Sequence, residues 1–164
     1  MPEPESFSDR IKKINAGGAA RVQATKVKVE QEAADLKVAQ ARYKAAALHI
    51  RDQLSLPIFR DFANAIPGAA EPTDRSETKT GGWDYYEVVF NIPSVGQAGQ
   101  TFNEEVKLSI RPAAVTTQIH VEGRVSSKAG CSFVEDFPLD GIDDQKFREW
   151  LETNLVTAYE KFCE

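Results

Sequence analysis

The chain has 164 residues and a net charge of −5, with 41% hydrophobic and 27% charged residues. That is the composition of a globular protein with one domain and at most an appendage, and it excludes a wholly disordered chain. No apolar run reaches the roughly 20 residues that span a bilayer, and Met1-Pro2-Glu3-Pro4-Glu5 lacks the basic and apolar regions of a signal peptide, so a cytoplasmic protein with no membrane partner is expected.

Residues 1–18 read as a disordered or short amphipathic segment. Ser6 or Ser8 offers a cap, and Phe7, Ile11 and Ile14 fall at helical spacing, before Gly17-Gly18 breaks the pattern. From residue 19 to 54 the chain holds no glycine or proline and is rich in Ala, Gln, Glu, Lys and Arg, which predicts one long helix of about 54 Å. Val22, Val29, Leu36, Tyr43 and Ile50 are each seven residues apart. The positions four residues on are Lys26, Ala33, Gln40, Ala47 and Leu54, so the pattern is a coiled-coil seam with two polar interruptions. Pro57 ends or kinks this helix, and Ile58, Phe59, Phe62, Ala63 and Ile66 predict a shorter one, so residues 19–66 form a helical part.

Residues 67–82 carry no large apolar side chain and read as a flexible linker or loop. Residues 83–164 read as a sheet followed by a helix. Apolar residues alternate at Tyr86, Val88, Phe90 and Ile92, at Phe102, Val106, Leu108 and Ile110, and again from Val115 to Val125, with a fourth strand opening at Cys131 and Phe133. This predicts a four-stranded antiparallel meander with one buried face. Ile142, Asp143 and Phe147 have the spacing of a capped and stapled helix start, and Phe147, Leu151, Leu155 and Ala158 give that last helix an apolar face for the sheet. The expected fold is therefore α+β: a long N-terminal helix, a four-stranded antiparallel meander and a C-terminal helix on one sheet face. A ten-residue strand spans only about 33 Å, so the long helix is expected to outrun the sheet and to need a partner for its seam.

Motifs for chemistry are sparse. There is no Walker-type glycine loop, GxSxG elbow, CxxC pair or EF-hand spacing. With Cys131, Cys163, His49 and His120 as the whole cysteine and histidine complement, neither a metal nor a cofactor is expected. Cys131 reads as a core thiol and Cys163 as a free one. Strand alternation sets His120 beside Glu122 on the polar sheet face, with Gln118 and Arg124. That group is either an acid–base site or an ordinary solvated face with cross-strand ion pairs to Glu87, Glu105 or Lys107. Trp83, Tyr85 and Val89 make the first strand apolar on both sides, so they are either covered by the long helix or form a patch for a partner.

Charge is unevenly spread. Residues 1–66 hold 11 basic and 8 acidic residues, and residues 67–164 hold 9 and 17. The pattern as a whole predicts a non-enzymatic interaction module that self-associates through the long helix, as a homodimer or larger, or that takes a heterologous helix. The alternative is a nucleic-acid-associated protein using Arg10, Lys12, Lys13, Arg21, Lys26 and Lys28. A weaker one is an enzyme or ligand binder using the polar face around His120.

Overall fold

The computed structural model describes residues 5–164 and has the element order α1 (Phe7–Leu48), a π-helical segment (His49–Ser55), α2 (Leu56–Ala65), β1 (Thr73–Thr78), β2 (Asp84–Val95), β3 (Thr101–Pro112), β4 (Gln118–Arg124), β5 (Ser132–Pro138) and α3 (Asp144–Cys163). Of the segment expected to be disordered, residues 1–4 lie outside the described residues. The chain divides into two compact units, Met1–Ala39 and Gln40–Glu164, rather than at 67–82.

In the first unit, Ser6 caps α1. Its hydroxyl accepts from the Asp9 amide at 3.2 Å and donates to the Asp9 carboxylate at 2.7 Å, which serves one of the orphan amides of the first turn. The helix runs through Gly17-Gly18, where a break was expected. Two glycines cost about 2 kcal/mol of helix propensity together, and the residues on both sides are good helix formers. Every residue from 5 to 38 is exposed.

The second unit is a single-layer sheet with helices on one face. The sheet is antiparallel with the strand order β1-β2-β3-β4-β5, which corrects the expected four strands to five. The additional strand, β1, lies inside the stretch read as a linker, and pairs with β2 from Thr73↔Val89 to Thr78↔Asp84. Tyr86, Val88, Phe90 and Ile92 of β2 are buried on the face that meets the helices, as are Val106, Leu108 and Ile110 of β3 and Ile119 and Val121 of β4. Phe59 of α2 stands edge-on to Phe90 at 5.8 Å, and Phe147 of α3 meets Phe137 of β5 at 4.9 Å. Asp143 caps α3 as expected, accepting from the Lys146 amide at 3.1 Å.

The helical backbone does not stop at Pro57. The π-helical segment joins α1 to α2, and the Leu56 amide donates to the Arg51 carbonyl five residues back. Pro57 then falls in the first turn of α2, where its missing N–H costs least. The Gln53 carbonyl, four residues before the proline, accepts from the Arg148 guanidinium at 3.4 Å.

Gly123 of β4 has a packing role. A Cβ placed there would lie 2.2 Å from the Phe133 ring, so the ring crosses the strand where only hydrogen leaves room.

Candidate functional site

The predicted seam divides between the two units. Val22, Val29 and Leu36 are 70%, 58% and 45% exposed, whereas Tyr43 and Ile50 are buried in the core of their own chain. Tyr43 and Ile50 therefore cannot face a partner, which corrects the expectation of a five-residue seam. The same heptad serves two ends: its last members pack on the sheet and its first three meet solvent. Val27 and Val38, off the seam, are also exposed at 53% and 60%.

Tyr43 is held by polar bonds as well as packing. Its hydroxyl lies 2.7 Å from the Asp84 carbonyl and 3.2 Å from the Ile110 carbonyl, and its single proton is donated between them. Its ring lies 5.5 Å from Trp83, edge-on, and 6.3 Å from Tyr86. Trp83 is thus half-buried against α1 and not a free patch residue. Val89 is buried, 3% exposed, and Tyr85 is half-buried with the Lys79 ammonium 5.5 Å above its ring. The three residues do not form one exposed surface.

Burial pushes the Tyr43 phenol well above its ordinary range, helped by the charges of nearby Tyr86, Tyr85 and Asp84. Burial also pushes Tyr86 up to about 12, with further help from the Asp84 carboxylate, to which its hydroxyl donates at 3.2 Å. A free tyrosine ionises near pH 10, so the unfolded chain releases these protons first. Their contribution to stability is complete below about pH 10 and is lost as pH rises toward and past 12. The urea midpoint is expected to fall steeply over that interval. A Tyr43→Phe/Tyr86→Phe variant should show a shallower fall. An equal fall in both proteins would assign alkaline unfolding to other groups.

The sheet face away from the helices carries the polar residues. Lys107 pairs with Glu87 at 3.2 Å, Arg124 with Glu105 at 2.9 Å, and Arg111 with Glu122 at 3.6 Å. His120 pairs not with Glu122 beside it but with Asp136 across the β4–β5 ladder, Nδ1 to Oδ1 at 2.6 Å. Its Nε2 faces the Arg111 guanidinium at 3.2 Å. A guanidinium can only donate, so this geometry suits an accepting Nε2 and an Nδ1–H that donates to Asp136. The nitrogen that an acid–base catalyst would present to a substrate is occupied by Arg111.

A shallow groove of about 250 Å³ lies among these ion pairs, lined by Tyr85, Glu87, Lys107, Ser109, Arg111 and Arg124 among others. Its three cations, Lys107, Arg111 and Arg124, each pair with a carboxylate, Glu87, Glu122 and Glu105, of which Glu87 and Glu122 line the groove. Among the described residues, no cluster of three or more His, Cys, Asp or Glu side chains is placed to hold a metal. No helix of the described residues is long and apolar enough to cross a membrane.

Sequence reasoning missed the roles of Asp136 and Arg111 around His120. Alternation sets the face of each residue, but the β4–β5 register that brings Asp136 opposite His120 has no signature in either strand alone. Comparison with protein-family models, curated proteins and solved structures finds no match to this chain.

Proposed function

We propose that this protein is a non-enzymatic, cytoplasmic interaction module that associates with copies of itself through the first unit's part of α1. The observation that supports this reading is the line of exposed Val22, Val29 and Leu36 at seven-residue spacing, on a stretch where every residue from 5 to 38 is exposed. A helix with no tertiary burial is marginal in water and gains most of its stability from packing an apolar face.

The magnitudes favour a modest affinity. Burying a fully exposed Val or Leu side chain is worth about 1.5–3 kcal/mol, and these are 45–70% exposed, so three from each copy give about 5–10 kcal/mol. Association costs about 4–15 kcal/mol in lost freedom. The balance leaves at most about 6 kcal/mol, which is a dimer with a dissociation constant of tens of micromolar or weaker. The test is solution mass by light scattering at hundreds of micromolar, for the native chain and for a Val29→Glu/Leu36→Glu variant. The native chain is expected to be dimeric or larger and the variant monomeric, with unchanged thermal unfolding of the sheet unit. Tyr43 and Ile50 stay untouched because charging them would unfold the core. A monomeric native chain, or a variant that keeps the native mass, refutes the proposal.

A further inference from the structure

Resting on that reading, we infer that two copies of α1 pair antiparallel and cross near Val29. Two independent observations converge on this arrangement. The first is where the seam is free. Tyr43, Ala47 and Ile50 are buried in their own chain, so the apolar line open to a partner runs from Val22 to Leu36. Val29 is its midpoint. An antiparallel pair with its two-fold axis there sets Val22 across from the second copy's Leu36 and Val29 across from Val29. All six exposed seam residues are then covered without involving the buried members.

The second observation is charge. Residues 7–28 carry six basic side chains and one acidic, a net +5, whereas residues 29–39 carry Glu30, Glu32 and Asp35 against Lys37, a net −2. Lys26 interrupts the seam. A parallel pair in register would hold Lys26 beside its own copy, two like charges at the most enclosed position. The antiparallel pair about Val29 instead draws the two Lys26 side chains about 9 Å apart along the axis and sets each about 3 Å along the axis from the second copy's Glu30, on the same flank of the seam. Exposed ion pairs add little strength; here they select the direction, as flanking charges do in coiled coils.

The experiment measures distances between spin labels in the full chain with Cys163→Ser. Cys131 is fully buried and takes no label under native conditions. Single cysteines are placed off the seam, at Lys13→Cys in one protein and Gln31→Cys in another. At about 1.5 Å rise per residue, the antiparallel pair separates the residue-13 labels by about 48 Å along the axis and the residue-31 labels by only about 6 Å. A parallel pair in register gives both labels the same short separation, set by helix spacing and the label arms. The expected result is a long distance at residue 13 and a short one at residue 31. Short distances at both overturn the direction while leaving self-association intact. A light-scattering mass of a monomer, with no dipolar coupling at either site, overturns self-association itself. Salt-sensitive binding of duplex DNA by that monomer would give the basic side chains to nucleic acid and overturn both.

Discussion

Phe147→Ala is expected to remove about 3–5 kcal/mol of stability, the range for truncating a fully buried phenylalanine. The side chain has no exposed area, and its ring meets Phe137 at 4.9 Å and Trp150 at 5.6 Å. The neighbours are anchored on different elements, β5 and α3, so they cannot close the space by moving together. Domains are stable by about 5–15 kcal/mol, and a loss of this size lowers the melting temperature by roughly 6–20 °C in a chain of this length. Urea unfolding followed by tryptophan fluorescence gives the number directly, because Trp150 sits beside the lesion. Phe147→Leu should cost less than half as much. A loss below about 1 kcal/mol for the alanine variant would show that α3 is not held to the sheet by this ring.

Gly123→Ala is the second large effect, and its sign is informative. An alanine in a strand is ordinarily better than a glycine, which loses more entropy on folding and packs nothing. Here the added methyl would sit 2.2 Å from the Phe133 ring, and that ring is itself packed edge-on against Trp150 at 5.4 Å. The ring has to leave its place, and overpacking of this kind costs about 1–3 kcal/mol. In a Phe133→Leu background the same substitution should be neutral or stabilising, so the two changes are strongly non-additive in a double-mutant cycle. A stabilising Gly123→Ala in the native chain would show that Phe133 does not cross β4 at this point.

The sequence revealed the fold wherever one face is buried. β2, β3 and β4 have alternating apolar residues because one side of each meets the helices and the other does not, and α3 announces itself by its cap and its apolar face. β1 was invisible for the same reason in reverse. Its residues, Thr73 to Thr78, are exposed on both sides, so no apolar period marks them and only hydrogen bonding to β2 makes them a strand. Gly17-Gly18 and Pro57 were read as breaks because local propensity penalises them. A long run of helix formers carries the first pair, and the π-helical segment delivers the proline to a first turn where it fits. The candidate seam was legible as a pattern but not as a surface. Seven-residue spacing says that Val22 to Ile50 share a face; it does not say that the sheet claims Tyr43 and Ile50 and leaves Val22, Val29 and Leu36. The His120–Asp136 pair needed the register of two strands, which is a property of neither one.

The five-stranded sheet is open, with β1 at one edge and β5 at the other. Unpaired strand edges are templates on which further strands grow, and they are where fibrous aggregation begins. Both edges here are poor templates. β1 presents Asp74, Arg75 and Glu77 among six exposed residues, and β5 ends in Glu135, Asp136, Phe137 and Pro138, with an imino acid that has no N–H to offer. A second copy arriving edge to edge would have to strip water from charges for a few backbone bonds. The sheet edges thus resist growth strand by strand, whatever the concentration of the chain.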